Sequence, residues 1–247
     1  MKKGAMLVCT EIAGKMLEMA KEKFESDQVF KGDAVFRMDE GLLSGVEKVD
    51  LDKLRADNLQ SEGKLIFGCI ANNESLPFPT ASFDCYLAPL SLHVMNNYKL
   101  MLQEALRVTK PGAKCGFSLW GRRENITIYP LLEAVMDRHG LGPATKPTKT
   151  NYDLAHRHEE LRREMLEMGF TNVKIWFQPV NFVFNTFDDF FATLFNQPST
   201  AAKLATLGEI QLEALMQDVR REYQEKIVEA SEPRHFENMI IIAEKQQ

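Results

Sequence analysis

The order of apolar and polar positions along the chain reads as strand, helix, strand, helix. Ala5-Met6-Leu7-Val8-Cys9 is a short apolar run of buried-strand character that ends at Thr10-Glu11-Ile12. Met16, Leu17, Ala20 and Phe24 then recur on one helical face, with Lys15, Lys21, Glu22 and Lys23 mostly on the other. Residues 64–71 and 83–88 are the next two apolar runs of strand length. Tyr98, Met101, Leu102, Ala105 and Val108 follow at helical spacing, and Pro111-Gly112 is placed to stop that helix because it removes a backbone donor and favours a turn. Residues 114–120 complete the series as another strand. Strands alternating with helices at this rhythm predict an α/β domain with a doubly wound, mostly parallel sheet.

The carboxyl third changes character. Leu161, Met165 and Met168 mark an amphipathic helix that ends at Gly169, whose missing side chain suits a left-handed cap. Residues 173–177 and 236–243 read as strands separated by a mostly helical segment, 185–232. Its stripe of Leu212, Leu215, Met216, Val219, Tyr223 and Ile227 serves either its own sheet or a partner helix. Residues 28–62 are polar, charged and irregular, and are expected to be an insertion within one domain spanning 1–247.

Composition narrows the functional classes. A chain of 247 residues with 45% hydrophobic side chains can bury one sizeable core. A formal charge of −5 argues against a general nucleic-acid or membrane-surface binder, since neither polyanion is attracted by the average field. Cys9, Cys69, Cys85 and Cys115 show no C-x-x-C spacing, so neither a metal site nor a disulfide framework is indicated, and reduced core cysteines are expected. No apolar run approaches the roughly 20 residues that span a bilayer. The run after Met1-Lys2-Lys3 is too short for a secretory signal, so a cytoplasmic setting is the expectation.

Candidate chemistry sits at strand ends, because open α/β sheets bind ligands outside the carboxyl ends of their strands. Glu11, closing the first strand, is suited either to accept both hydroxyls of a ribose or to favour a helix start. Asn72, Asn73 and Glu74 close the second and either read an adenine edge, an amide offering both donor and acceptor, or form an ordinary turn.

These residues occur within a wider pattern. Thr10-Glu11-Ile12, Met16-Leu17, Ala20, then Asn72, Glu74, Leu76-Pro77-Phe78, Ser82-Phe83-Asp84, Leu92-His93 and Arg107-Val108-x-Lys110-Pro111-Gly112 together resemble the class I S-adenosylmethionine-dependent methyltransferases. The pattern is most similar to the branch that includes the ubiquinone and menaquinone C-methyltransferases and many small-molecule methyltransferases; Gly169-Phe170-x-x-Val173 extends it. The resemblance implies a Rossmann-like sheet with an antiparallel carboxyl-terminal strand and S-adenosyl-L-methionine as cofactor. It gives Glu11 to the ribose diol, Ile12 to packing on the adenine, Asn72 and Asn73 to the adenine edge, and Ala88 to a main-chain contact near the methyl-bearing sulfur. Asn72 stands where the family usually has aspartate, and Ala113 where it usually has a second glycine.

The family also has a first strand and a G-x-G-x-G turn ahead of the segment matched by residues 5–11, with that strand lying between those matched by 5–11 and 83–88. No such turn occurs in this sequence. The expectation is therefore a fragment of a longer protein, a rearranged fold or a subunit completed by another chain, with weak cofactor binding by these residues alone. No G-x-G-x-x-G occurs either, which sets aside a nicotinamide dehydrogenase.

Methyl transfer from a sulfonium is an in-line displacement that needs positioning and desolvation more than an acid-base pair, so no catalytic residue is assigned. His93, Tyr98, Trp120, Arg122, Arg123, Tyr129, Tyr152, His156 and His158 fall around the expected acceptor mouth. Asp188-Asp189 and Phe182, Phe184, Phe187, Phe190 and Phe191 line an apolar acceptor pocket or form core. The expected acceptor is a small molecule, without nucleic acid or membrane; the alternative is a methyltransferase-like binding or scaffold protein.

Overall fold

The structure, a computed structural model, describes residues 5–27, 34–39, 49–60, 64–127, 129–142, 153–184, 186–195, 198–230 and 234–247. Its strands hydrogen-bond in two groups. In the first, β1 (Met6–Glu11) and β2 (Ala34–Asp39) flank β3 (Lys64–Ile70), all parallel. In the second the order is β4 (Phe83–Ala88), β5 (Thr109–Trp120), β7 (Arg234–Lys245) and β6 (Phe170–Phe182). β4 and β5 are parallel, whereas β7 runs antiparallel to both β5 and β6. This is the α/β class that the alternation predicted, with the expected antiparallel strand at the carboxyl end.

Helix α1 (Gly14–Ser26) follows β1 and buries Leu17 from the predicted apolar face. The stretch 28–62, expected from sequence to be an irregular insertion, holds β2 and helix α2 (Leu51–Gln60) among its described residues. Its irregular spacing has a physical reason. The strand is short, and its one buried aromatic, Phe36, lies over Gly68 of β3, where a Cβ would stand 3.0 Å from the ring. That complement is invisible locally. Val49 and Leu51 are buried as well, with the Val49 amide donating to the Pro77 carbonyl at 2.9 Å.

The second group of strands carries the main core. Cys115, Phe117 and Leu119 of β5 and Met239, Ile241 and Ala243 of β7 point to one side at strand period, all buried. Met101, Leu102 and Ala105 of α3 (Tyr98–Val108) and Leu161 and Met165 of α6 (His158–Met168) belong to the same core. As the sequence predicts, α6 ends on Gly169, whose φ of 109° is left-handed. Pro111-Gly112 behaves differently from its reading as a helix stop. α3 already ends at Val108, where the Thr109 hydroxyl donates to the Ala105 carbonyl at 2.6 Å, and the dipeptide sits in β5 where its register with β4 shifts. Gly112 takes a φ of 75° there, which a bulge tolerates and a side chain resists.

The carboxyl-terminal segment is helical: α7 (Phe187–Phe195), α8 (Pro198–Leu204) and α9 (Glu209–Tyr223), with a π-helical turn over Gln224–Glu229. With α4 (Tyr129–Arg138) it forms a second core in which Val135, Met136, Phe190, Leu194, Leu215 and Val219 are buried. A short helix α5 (Asp153–His156) precedes α6.

Candidate functional site

A cavity of about 830 Å³ lies between β1 and β4. It is lined by every residue from 5 to 11 and from 82 to 89, together with Asn73 and Ser91, and by Leu76, Phe78 and Val108. Successive side chains of a strand point to opposite faces, so lining by consecutive residues means that the cavity abuts strand edges rather than a sheet face. Both strands are at the margin of their group, β1 pairing with β3 and β4 with β5. Exposure reports the same geometry: Leu87 of β4 is 72% exposed, whereas Leu119 of β5 is 0%.

The carboxyl ends of β1, β3 and β4 bring Glu11, Asn73 and Ala88 to this cavity. Glu11 Oε1 accepts from the amides of Ile12 at 2.8 Å and Ala13 at 3.1 Å, just ahead of α1. The carboxylate is thereby fixed at the cavity wall and also performs the helix-start role that the sequence left open. Asn73 Oδ1 accepts from the Thr10 hydroxyl at 3.1 Å, which ties the ends of β1 and β3 together. Ile12 and Asn72 are not among the lining residues. Ile12 is 68% exposed, and Asn72 uses its Oδ1 to accept the Glu74 amide at 2.9 Å in a turn closed by the Ser75 amide on its carbonyl. For Asn72 the geometry is that of the turn.

Sequence reasoning missed two neighbours of Ala88. Leu90 has a φ of 48°, a left-handed conformation that costs a non-glycine residue about 1–2 kcal/mol, and its amide donates to Ser118 Oγ at 2.9 Å. Backbone strain of this kind gathers where surrounding structure holds a site in place. Next to it, Ser91 Oγ is buried at the cavity wall with no hydrogen-bond partner among the described residues. A buried hydroxyl left in that state is suited to a ligand. Pro89 is the sole local hint of the turn; nothing in the residue types announces the left-handed leucine.

The motif residues around the cavity are its frame. Arg107 donates to the carbonyls of Phe78 at 2.6 Å and Leu76 at 2.9 Å and pairs with Glu104 at 2.7 Å. Glu104 Oε2 in turn accepts the Leu76 amide at 2.6 Å. Burial pushes the Glu104 carboxyl up, but hydrogen bonds from Arg107 and the Leu76 amide outweigh it and hold the group below its usual range. Glu74 Oε1 accepts the Asn97 amide at 2.8 Å, joining the turn after β3 to the start of α3.

Most of the residues expected at an acceptor mouth are engaged elsewhere. His93 is buried against Trp120, ring centroids 5.6 Å apart, and burial lowers its pKa to about 4. The Tyr98 hydroxyl donates to Glu164 of α6 at 2.6 Å; burial first, then that bond, push it up to about 12. Arg122 forms a forked pair with Glu237, at 2.9 and 2.7 Å, and stands 4.2 Å over the Phe177 ring. Arg123 pairs with Glu133, His156 lies 3.0 Å from Glu124, and the His158 ring packs edge-on to Phe177 at 5.3 Å. Tyr152 and the Tyr129 side chain lie outside the described residues, as do residues 143–152 of the Gly/Pro/Thr-rich stretch. Asp188 and Asp189 occupy the first turn of α7, and Phe182, Phe184, Phe187, Phe190 and Phe191 belong to the second core. None of these aromatics lines the cavity. Among the described residues no three His, Cys, Asp or Glu side chains converge as a metal site, and no helix is long and apolar enough to cross a membrane.

Residues 46–117 match the family model described as a methyltransferase domain. The likeness to a methyltransferase domain is carried by this stretch, under a third of the 247 residues. It spans α2, β3, β4, α3 and most of β5, and so contains Asn72, Asn73, Ala88 and the Arg107 clamp, with Glu11 upstream of it. No curated protein matches at a significant level. Among solved structures, a SAM-dependent methyltransferase of Methanosarcina mazei is similar at 13% identity and a TM-score of 0.43, over 100% of this chain and 94% of that one. Phosphoethanolamine N-methyltransferase 2 of Haemonchus contortus, in complex with S-adenosyl-L-methionine, is similar at 15% identity and 0.42, over 100% of this chain and 50% of that one.

Proposed function

We propose that the end of the cavity bounded by Glu11, Asn73, Ala88 and Ser91 binds S-adenosyl-L-methionine and that the chain transfers its methyl group to a small-molecule acceptor. The observation that carries this reading is the convergence of Glu11, Asn73 and Ala88, from the ends of three separate strands, on one cavity. Charge supports it. Glu11 lines this end of the cavity and no Lys or Arg is among the described lining residues, while Asp84, at the far end of β4, is paired with Lys110 at 2.7 Å; the carboxylate at the Glu11 end suits a cationic ligand. In this reading Glu11 accepts the ribose hydroxyls and Asn73 reads the adenine edge, with the Ser91 hydroxyl, unpartnered among the described residues, on the wall of the same cavity. When bound, the cofactor supplies an electrophilic methyl carbon. The chain's part is to hold that carbon in line with the acceptor atom and to keep water away. The methyltransferase-domain match supports the reaction class, and the net charge of −5 supports a small acceptor over a nucleic acid.

Titration with S-adenosylhomocysteine and S-adenosyl-L-methionine, followed by labelled methyl transfer into a metabolite extract, tests the proposal. Saturable binding is expected, weakened about 10- to 150-fold by Glu11→Ala through loss of charged hydrogen bonds. Label is expected in small molecules. Binding unchanged by Glu11→Ala in a folded variant removes Glu11 from the site, and label confined to RNA, DNA or protein rejects the acceptor class. Binding without any transfer favours the non-catalytic reading.

A further inference from the structure

Past the carboxyl end of β4 the chain turns sharply, and the turn leaves one hydroxyl unused. Leu90 holds its φ of 48° while its amide donates to Ser118 Oγ at 2.9 Å, and the Val94 amide donates to the Ser91 carbonyl at 3.0 Å. Ser91 is thereby pinned from both sides, just ahead of the single 3-10 turn Leu92–Val94. A serine in that place ordinarily turns its oxygen onto a backbone amide of the turn. Ser91 Oγ makes no such bond and has no partner among the described residues. Other lining hydroxyls are committed: Thr10 Oγ1 donates to Asn73 Oδ1 at 3.1 Å and Ser82 Oγ to the Pro79 carbonyl at 2.7 Å. The Ser91 side chain lines the cavity with its oxygen turned away, and rotation about one bond brings that oxygen to the cavity, where a donor relieves the cost of leaving it unbonded. We propose that the Ser91 hydroxyl accepts a hydrogen bond from an N–H of the methyl acceptor, and that the acceptor is a neutral primary or secondary amine methylated on nitrogen.

Nitrogen follows from the bases that the lining lacks. In the transfer the acceptor's lone pair bonds to the methyl carbon while the carbon–sulfur bond breaks, its electron pair staying on sulfur to leave the neutral thioether S-adenosylhomocysteine. An alcohol needs a base to take its proton as that bond forms. No His or Lys is among the described lining residues. Glu11 Oε1 already accepts two amides, and Asp84 is paired with Lys110 at the far end of β4. Burial raises the Cys9 thiol and the Tyr86 hydroxyl, so both keep their protons. A neutral amine needs no base before attack. It bonds through its lone pair, becomes a methylammonium and gives its proton to water afterwards. The sulfonium charge beside it favours that neutral form over an ammonium. A carbon nucleophile, by contrast, offers Ser91 no donor on the reacting atom. The N–H to Oγ bond orients the nitrogen so that its lone pair faces the methyl carbon, as an in-line displacement requires. Ser91 stands beyond the strand end, so the amine adjoins the cofactor's methyl group without entering the space between β1 and β4.

This inference rests on the methyl-transfer reading, and three readouts on the full chain separate the two. The first needs no cofactor: thermal unfolding of Ser91→Ala is expected to match or exceed that of the parent chain, because a hydroxyl without a partner holds nothing together. A clear loss of stability gives the hydroxyl a structural partner and overturns the proposal. The second is titration with S-adenosylhomocysteine, whose affinity for Ser91→Ala is expected to stay within about 2-fold of the parent; a drop of about 10-fold or more assigns the hydroxyl to the cofactor and overturns it too. The third uses S-adenosyl-L-methionine carrying a carbon-13 methyl group with a metabolite extract, the carbon chemical shift of the product showing which element holds the methyl. A methyl on nitrogen is expected, formed about 10-fold more slowly by Ser91→Ala at low acceptor concentration and restored by Ser91→Thr, which keeps the hydroxyl. Transfer to carbon or oxygen rejects this inference and leaves the methyl-transfer reading standing. Failure of the parent chain to bind S-adenosylhomocysteine, or binding without any transfer, rejects both.

Discussion

Arg107 joins the end of α3 to a segment 29 to 31 residues earlier, and its three partners, two carbonyls and a carboxylate, account for its place in the sequence pattern. Arg107→Met removes the donors while keeping the aliphatic stem, leaving the Leu76 and Phe78 carbonyls and Glu104 to find water. Urea unfolding is expected to show a loss of about 2–3 kcal/mol, since bonds to charged groups contribute roughly 1.5–3 each in isolation and here share one side chain. A loss below about 0.5 kcal/mol contradicts the clamp. His93 gives a prediction with a sign. Its folded pKa of about 4 lies below the ordinary 6.5, so between those values the unfolded chain binds the proton more readily and stability falls as pH falls. The contribution is whole above about pH 6.5, and roughly 2 kcal/mol is lost by pH 5. Unfolding midpoints at pH 7 and 5 should therefore differ less in His93→Gln than in the parent chain; an equal difference removes His93 as the source. At this scale the position of Glu11 and Asn73 on the cavity wall was legible from their places after apolar runs. Asn72 was not separable from its neighbour, because which of two adjacent amides turns inward depends on the Glu74 and Ser75 amides that Asn72 captures.

Elements were legible wherever apolar runs were continuous or their period was clean: β3, β4, α3, α6 and β7 follow the sequence reading to within a few residues. β2 escaped because its buried Phe36 depends on a glycine in another strand, and the β5 bulge escaped because Pro-Gly serves a register shift as well as a helix stop. Gly121, just past β5, is a further position decided by a distant strand. Its amide donates to the Glu237 carbonyl at 2.6 Å, and a Cβ there would stand 2.6 Å from Glu237 Cγ and 2.7 Å from that carbonyl oxygen. Glu237 also accepts from the Arg122 side chain and amide and from Asn125. Gly121→Ala is therefore expected to cost about 1–3 kcal/mol through overpacking of backbone that cannot yield, with the Arg122–Glu237 fork disturbed. Thermal unfolding indistinguishable from the parent chain contradicts this close approach.

Across the whole molecule, the α/β class and the mixed sheet at the carboxyl end were readable from strand-helix alternation. The division of the strands into two groups was suggested by the resemblance alone, since no local pattern tells a strand which of its edges lacks a neighbour. The helices of 186–230 were foreseeable from their stripe, but the aromatic residues at 182–195 pack around α4 and α9 rather than at the cavity. Apolar periodicity reports burial and is silent on what is buried against what. The central claim is that cofactor binds where the ends of β1, β3 and β4 converge. Backbone amide NMR during titration with S-adenosylhomocysteine tests it most directly, because it reports location even when binding is weak. The account predicts saturable shifts confined to residues 10–13, 72–74 and 88–91, lost in Glu11→Ala. Shifts centred instead on α4, α7 and α9, or none at about 5 mM ligand, roughly 3 kcal/mol of binding free energy, would contradict it.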